Sequence, residues 1–276
     1  MYPIGIFDSG YGGLTILRQI QQYLPQYDYL YLSDNARAPY GPHSFESIYR
    51  YTQEAVEELF RRGCRLVILA CNTASAKALR TIQQVDIPRI DPNRRVLGVI
   101  RPTVEAVQSL TKTGHVGVLG TPGTVNSGSY KLEICRLSSY IEITQVACPM
   151  WVPLVEYGEY DSPGADFFVR KRIEQIMHLD PKIDTLVLAC THYPLLINKI
   201  LKYTPTNVRI VEQGEYVAKS LADYLKRHPE IDAQCSKGGL THYLTTENAS
   251  KFSEAAAIFM HQHNLRVEEI ELKSCK

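Results

Sequence analysis

The sequence has almost no net charge, since 30 Lys and Arg residues stand against 29 Asp and Glu residues and leave a formal charge of +1. This balance gives no indication of a nucleic-acid or membrane partner, because both attract an excess of basic residues. No apolar run approaches the roughly 20 residues that cross a bilayer. The first residues also lack the basic and apolar regions of a secretion signal. We therefore expect a cytoplasmic protein that binds neither nucleic acid nor membrane.

The sequence also lacks the common cysteine and glycine motifs. Its cysteines are odd in number and include no C-x-x-C pair, so neither a disulfide framework nor a zinc knuckle is predicted. The turn at residues 8–13 is rich in glycine but has neither G-x-G-x-x-G spacing nor a Gly-Lys-Ser/Thr ending. We therefore expect no metal and no nucleotide cofactor. The seven cysteines are Cys64, Cys71, Cys135, Cys148, Cys190, Cys235 and Cys275.

Two similar stretches are present, one at residues 66–76 and the other at 186–192. Each begins with a short uncharged apolar run, which is typical of a buried strand in a parallel sheet. Each run ends in Ala-Cys, at Cys71 and Cys190, and small or hydroxyl residues that suit a helix start follow. Both thiols are thus expected at carboxyl ends of strands, where open α/β sheets bind ligands. A single cysteine in such a place is more often a small buried hydrophobe, but the repeated context favours a function.

Apolar strands recur at similar offsets, which indicates an internal duplication. Ile4 and Val116 are 112 residues apart, and the two cysteines of the repeated stretch are 119 apart. The fold class predicted from this pattern is α/β, with two similar parallel-sheet domains related by internal duplication. The predicted domains are residues 1–97 plus 208–276, which carry Cys71, and residues 98–207, which carry Cys190.

A pair of matched thiols suits only some of the reactions open to cysteine. Metal binding is disfavoured because no close cluster of His, Cys or Asp supplies further ligands. A nucleophile needs one cysteine and a base, so a second matched cysteine would be superfluous. Two thiols on facing halves suit a symmetric reaction in which one removes a proton and the other delivers one to the opposite face. The pattern therefore favours racemisation or epimerisation.

Several polar residues at predicted strand ends, helix starts and loops are further candidates for the site. Asp8 and His192 lie where they can orient or tune a thiol, although each is also an ordinary satisfied polar group. Hydroxyl and amide side chains at predicted helix starts can meet the charge that develops on a substrate carboxylate, or they are plain N-caps. Tyr40 lies in a Pro-Tyr-Gly loop that is either a binding loop or a simple turn. The helix-start residues are Ser9, Asn72, Thr73 and Thr191.

At these residues the chain resembles the glutamate racemase family, whose members make D-glutamate for peptidoglycan without a cofactor. The matching stretches are GIFDSGYGGLT, ARAPYG, ACNTASA, VGVLGTPGTVNSGSY, ACPMWVPLVEYGE, DTLVLACTHYPLL and the GLTHYLT…KF end. They extend over nearly the whole chain. The sequence departs from the family pattern at Asn35, Arg101 and Glu212-Gln213-Gly214.

The resemblance implies that the two α/β domains face each other across a cleft. It also implies that Cys190 takes the proton from L-glutamate and that Cys71 takes it from D-glutamate. It also implies that Glu156 assists on the Cys190 side. The implied partners are D- and L-glutamate, with no cofactor, and a homodimer is one option for the assembly. The implied substrate contacts are Asp8, Ser9, Tyr40, Gly41, Asn72, Thr73, Thr191 and His192.

Several functions remain open at this point. Aspartate racemase, or another amino-acid racemase of the same family, is the nearest alternative. A one-cysteine decarboxylase of the same fold is less favoured because both cysteines are present. A two-domain protein that closes on an amino acid without chemistry is the alternative from a different class. Racemisation of L-glutamate by the purified chain distinguishes the enzyme from the binding protein.

Overall fold

The computed structural model describes residues 2–260, 262 and 265–272, so Cys275 lies outside the described residues. Within them, the strands form two sheets in which every pair is parallel. The first sheet contains β1 (Ile4–Asp8), β2 (Tyr29–Ser33), β3 (Leu66–Leu69), β4 (Arg95–Gly98), β9 (Thr241–Thr245) and β10 (Val267–Glu269). The second contains β5 (His115–Gly120), β6 (Glu142–Ala147), β7 (Thr185–Ala189) and β8 (Arg209–Val211).

Helices connect the strands, because a parallel pair needs a crossover from the end of one strand to the start of the next. Among the described residues, no helix is long and apolar enough to span a bilayer. The helices are α1 (Leu14–Tyr23), α2 (Phe45–Arg61), α3 (Asn72–Lys77), α4 (Leu79–Thr81), α5 (Ile87–Ile90), α6 (Ile100–Leu110), α7 (Pro122–Asn126), α8 (Ser129–Leu137), α9 (Trp151–Glu156), α10 (Pro163–Leu179), α11 (Ile197–Tyr203), α12 (Gln213–Arg227), α13 (Pro229–Asp232) and α14 (Ala249–Met260). Residues Asn35–Arg37 and Tyr193–Leu196 are 3₁₀-helical, and Ile82–Asp86 is π-helical.

The two sheets share one strand order. The first runs β10-β9-β2-β1-β3-β4 and the second runs β6-β5-β7-β8. Four strands therefore correspond in order, β2-β1-β3-β4 with β6-β5-β7-β8, and the first sheet has two more at one edge. The predicted fold class, two parallel-sheet α/β domains, is confirmed. The shared order also agrees with the duplication inferred from the sequence offsets.

The predicted second domain ends too early at residue 207. Strand β8 pairs with β7 in the second sheet, with Val187 opposite Val211, so residues 209–211 do not belong to the first domain. The reason is that β8 is the counterpart of β4, the last strand before the chain leaves the first sheet. After Val211 the chain continues into α12, which packs against α1 of the first half.

Buried apolar side chains join the two halves. Strands β1, β2, β3 and β7 are buried along their whole length, as expected for parallel strands covered on both faces. One continuous cluster contains Ile6 and Leu17 from the first half and Leu119, Trp151 and Leu188 from the second. The carboxyl ends of both sheets are thereby held close enough to form the walls of one site.

Candidate active site

The site forms where the central strands of both sheets end. Strand β1 ends at Asp8, and its neighbour β3 is followed by Ala70 and Cys71. Phe7 and Leu69 are opposite each other in this pair, so Asp8 and Cys71 leave the sheet side by side. In the second sheet, β7 is followed directly by Cys190. The predicted position of both thiols at strand ends is therefore observed.

Both cysteines line one small cavity between the halves, with a volume of about 30 Å³. A space of this size holds about one water molecule, so the cavity is nearly closed in this arrangement. The structure brings all the sequence-predicted site residues to this wall except Asp8, which lies just behind it. The wall contains Ser9, Gly10, Ala38, Pro39, Tyr40, Gly41, Cys71, Asn72, Thr73, Thr121, Val152, Glu156, Cys190, Thr191 and His192.

Cys71 lies at the start of α3, where its sulfur accepts a hydrogen bond from the backbone N–H of Ala74 at 3.4 Å. Its Sγ atom is also 3.3 Å from Ser9 Oγ. The side chain is buried, and burial together with the charge of Asp8 raises the pKa of the thiol to about 12. The two hydrogen bonds oppose this rise but do not cancel it. Cys71 therefore holds its proton near neutral pH in this arrangement.

Asp8 is 1% exposed and lies beneath the cavity wall. Its Oδ2 atom accepts a hydrogen bond from the N–H of Gly10 at 3.1 Å. Burial raises the pKa of this carboxyl to about 6, although the nearby His192 opposes the rise. The carboxyl group thus changes charge within the range in which many enzymes operate.

Cys190 has a different set of neighbours. Its Sγ atom is 3.9 Å from His192 Nδ1, and the other ring nitrogen of His192 bonds to Glu156 Oε1. Burial disfavours the charged imidazole, but the bonds to Cys190 and Glu156 outweigh it and hold the pKa of His192 well above 6.5. The arrangement favours the charged imidazolium, which has a donor N–H for the sulfur on one side and for the carboxylate on the other.

The glycine-rich turn after β1 permits this packing. A Cβ atom at Gly12 would lie 2.4 Å from both His192 Nδ1 and Thr191 Oγ1, closer than atoms can approach. Thr15, in the helix after the turn, donates from Oγ1 to the carbonyl of Thr191 at 3.1 Å. The glycine in this turn therefore allows the two halves to pack in close contact.

The loop that carries Tyr40 and Gly41 is fixed from behind the cavity. The Tyr40 hydroxyl donates to Asp34 Oδ2, and Arg37 bonds to the same oxygen at 2.7 Å. Arg37 also pairs with Glu54 of α2. Burial and Asp34 raise the pKa of Tyr40 well above 10, so its hydroxyl stays protonated. Tyr40 lines the cavity as predicted, but its hydroxyl group is already bound to a carboxylate.

Thr121 is a wall residue that sequence reasoning did not select. Its Oγ1 atom is 2.9 Å from Thr73 Oγ1, which joins the start of α3 to the start of α7 across the two halves. Thr121 caps α7 by accepting from the N–H of Thr124 at 3.2 Å. The signal was present, since Thr121 lies 112 residues after Ser9, the same offset that relates β5 to β1.

Comparison with known proteins identifies the family. The sequence matches the Asp/Glu/Hydantoin racemase family over residues 8–221. The chain belongs to this family. A curated glutamate racemase from Ruegeria sp. (strain TM1040) is 39% identical over 267 residues, which cover 93% of this chain and 96% of that protein. The resemblance inferred from the sequence motifs is confirmed, as is the expectation of an amino-acid racemase at the level of the family.

Solved structures agree over the full length. A glutamate racemase isoform from Bacillus anthracis superposes with a TM-score of 0.89 at 32% identity, covering 98% of each chain. The glutamate racemase of Francisella tularensis subsp. tularensis, solved in complex with D-glutamate, has a TM-score of 0.88 at 30% identity and covers 99% of each chain. The arrangement of two sheets around one cleft is therefore that of this family.

Metal ligands are not grouped in the part of the chain that the structure describes. No cluster of three or more His, Cys, Asp or Glu side chains there has the geometry to hold an ion. The acidic and basic groups around the cavity instead pair with one another or with the thiols.

Proposed function

We propose that this chain interconverts L- and D-glutamate by proton transfer at the α-carbon, with Cys71 and Cys190 as the acid/base groups and without a cofactor. The observation that carries the proposal is the placement of two thiols at corresponding strand ends on the wall of one small cavity. Each thiol has its own titratable neighbour, Asp8 for Cys71 and His192 for Cys190. A racemase needs such an acid and base on opposite faces of one carbon atom.

The proposed mechanism starts with the two thiols in opposite protonation states. Cys71 holds its proton because burial raises its pKa to about 12. The starting thiolate is then Cys190, which lies beside the imidazolium of His192. The Cys190 sulfur takes the α-proton of L-glutamate, and the Cys71 proton passes to the opposite face of the same carbon. In the reverse direction the two sulfurs exchange these roles.

Charge develops on the substrate carboxylate while the α-proton is absent. Hydroxyl groups from both halves line the cavity, including those of Ser9, Thr73, Thr121 and Thr191, and they supply donors at that moment. They are fixed before the substrate arrives, because Thr73 and Thr121 already bond to each other. In our proposal these groups bind the carboxylates, and Gly41 contributes through its backbone.

Glutamate is the proposed substrate because the relatives that match this chain end to end are named glutamate racemases and one of them holds D-glutamate. Supply of D-glutamate for peptidoglycan is the proposed biological role. The cytoplasm is the proposed location, since the six cysteines among the described residues are all free thiols. A homodimer remains a prediction for measurement in solution.

The function is tested by mass spectrometry of both enantiomers after the purified chain acts on L-glutamate in deuterated water. A mechanism with two bases predicts deuterium in the earliest D-glutamate and little deuterium in the unreacted L-glutamate at low conversion. A single base on both faces would return much of the original hydrogen to the product. That result would contradict the assignment of both cysteines.

Two parallel assays separate the alternatives. Replacing L-glutamate with L-aspartate in the assay identifies the substrate, and faster turnover of aspartate would indicate an aspartate racemase instead.

Full activity is expected after exhaustive treatment with a chelator, with no absorbance band from a bound cofactor. Activity that is lost and then restored only by metal would overturn the proposed chemistry. Binding of glutamate without any racemisation would indicate a binding protein.

A further inference from the structure

A buried amide lies where the chain passes from the second half back to the first. Gln213 is the first residue of α12, directly after β8 and Glu212. Strand β8 belongs to the second sheet, whereas α12 packs on α1 of the first half. Thr103 is in α6, the first helix after the chain leaves β4 in the other direction. The side chain of Gln213 therefore lies beside both crossings between the halves.

Gln213 closes a ring of hydrogen bonds that reaches the residue after Cys71. Its Oε1 atom accepts from Asn72 Nδ2 at 2.5 Å, and its Nε2 atom donates to Tyr130 Oη at 2.8 Å. Tyr130 donates in turn to Asn72 Oδ1 at 2.7 Å. The second proton of Gln213 Nε2 goes to Thr103 Oγ1 at 2.8 Å. One glutamine thus connects the start of α3 with α6 and α8 of the other half.

The direction of every bond in the ring is determined by chemistry. Thr103 Oγ1 donates to the carbonyl of Val99 at 2.7 Å, so it has only lone pairs to offer to Gln213. Turning the Gln213 amide over would place its oxygen against those lone pairs and its N–H groups against those of Asn72. A rotated Gln213 would therefore lose the ring.

The four side chains are buried, with exposures of 2% for Asn72, 0% for Thr103 and Tyr130, and 3% for Gln213. Water cannot replace a lost partner there, so the satisfied ring admits a single arrangement. Asn72 lies next to Cys71 and lines the same cavity. Both the nitrogen and the oxygen of its side-chain amide are hydrogen-bonded within the ring, which fixes the position of the start of α3.

We propose that Gln213 is a positioning residue that holds the Cys71 side of the cavity in place relative to the second half. The role depends on the proposed racemase function, because it acts through the proton transfer at Cys71. Loss of Gln213 leaves the thiol itself intact and lets the start of α3 move with respect to the substrate. Small displacements of a reacting group are costly, with up to about 100-fold lost for a shift near 1 Å.

The test compares Gln213→Ala, Tyr130→Phe and the double variant in the full chain. Each single variant is expected to lower kcat/KM for glutamate by roughly 10- to 100-fold. The double variant should be little worse than the poorer single one, because both break the same ring. Both directions of the reaction must lose kcat/KM equally, since the two enantiomers have the same free energy.

Primary isotope effects show which of the two proton transfers is slowed in the variant. In Gln213→Ala, the primary isotope effect with 2-deutero-D-glutamate should rise, because Cys71 removes that proton in our mechanism. The effect with 2-deutero-L-glutamate should stay constant or fall. A merely structural role would lower the thermal midpoint and leave both isotope effects at the wild-type values. Such a result would overturn the inference.

Gln21→Ala is the control, because it removes a glutamine with a side-chain hydrogen bond, to Thr241 Oγ1 at 2.8 Å, that does not line the cavity. It should keep wild-type kinetics. Should Gln213→Ala fail to fold, Tyr130→Phe keeps the ring volume and decides the question by the same isotope effects. Wild-type protein that does not racemise glutamate would refute the proposed function instead, whereas active wild type with additive single variants would refute the role of Gln213 alone.

Discussion

Cys71 and Cys190 have corresponding positions in the two sheets but different chemical surroundings. Beside Cys71 are a hydroxyl group and a buried carboxyl, those of Ser9 and Asp8. Beside Cys190 is an imidazole that is bound to Glu156. The negative group near Cys71 favours a neutral thiol, whereas the positive group near Cys190 is a partner for an anionic sulfur. In our proposal, the duplicated backbone supplies the symmetry of the reaction, and the neighbours decide which thiol starts with the proton.

The largest expected effect comes from removing either sulfur. Cys71→Ala and Cys190→Ala should each leave almost no racemisation, a loss at or beyond about 10⁴-fold, because a required acid or base is absent. Cys71→Ala keeps the Cys190 base, so on prolonged incubation it should still exchange the α-proton of L-glutamate slowly with deuterated water. Cys190→Ala keeps only a thiol that holds its proton near neutral pH, so it should exchange D-glutamate more slowly still. NMR of each enantiomer measures this exchange.

Cys135→Ser is the control for these variants, because Cys135 is an exposed free thiol. It should racemise at the wild-type rate. Near-normal racemisation by either alanine variant would end the two-thiol assignment.

A smaller loss is expected when the partners of the thiols are changed. Asp8→Asn and His192→Asn should each keep measurable racemisation but lose about 10²–10⁴-fold in kcat/KM. Primary isotope effects distinguish the two partners. His192→Asn should raise the isotope effect with 2-deutero-L-glutamate, whereas Asp8→Asn should raise the isotope effect with 2-deutero-D-glutamate. Identical isotope patterns in both variants would show that each partner serves both thiols.

Replacing Glu156 should change the pH profile more than the maximal rate. Glu156 raises the pKa of His192 through a hydrogen bond and its negative charge. Glu156→Gln removes that charge, so the pKa of His192 falls and the imidazolium is lost at a lower pH. The basic limb of kcat/KM should then shift towards neutral pH, with roughly a 10-fold loss at pH 8. An unchanged basic limb would indicate that the charge of His192 does not govern the rate.

The smallest expected effect is on stability and involves Asp8. Its folded pKa of about 6 lies above the ordinary value of 3.8, so the fold favours the protonated carboxyl. This contribution to stability is complete below pH 3.8 and is lost as the pH rises through 6. Asp8→Asn does not titrate, so its free energy of unfolding relative to wild type should rise by roughly 1–2 kcal/mol between pH 5 and pH 8.

Urea unfolding at both pH values measures this difference. Asp223→Asn is a suitable control because Asp223 is exposed and pairs with Arg227 on its own helix. It should show no comparable pH dependence. A constant difference between Asp8→Asn and wild type would mean that Asp8 is already ionised at pH 5.

The sequence by itself determined the parts of the molecule that depend on local pattern. Uncharged apolar runs predict buried parallel strands, and the small residues after Cys71 and Cys190 predict turns into helices. Because carboxyl ends of parallel strands meet at one edge of a sheet, these local signals place each thiol at the ligand-binding edge of its own sheet. The packing of the two halves brings the two edges together. The repeat offset of 112 residues also relates Thr121 to Ser9, but only the structure showed that Thr121 lines the cavity.

Only the tertiary structure decided the contacts between segments that are distant in sequence. Glu156 and His192 are 36 residues apart, and Asn72 and Gln213 are 141 apart. The sequence motifs placed Glu156 near Cys190 by resemblance alone, and nothing local marked Gln213 as a partner of Asn72. The place of β8 in the second sheet was equally hidden, because a three-residue strand carries too little pattern to show which sheet it joins. Such pairings depend on how whole helices and loops pack, and that packing is settled by the summed burial of many side chains rather than by any one stretch.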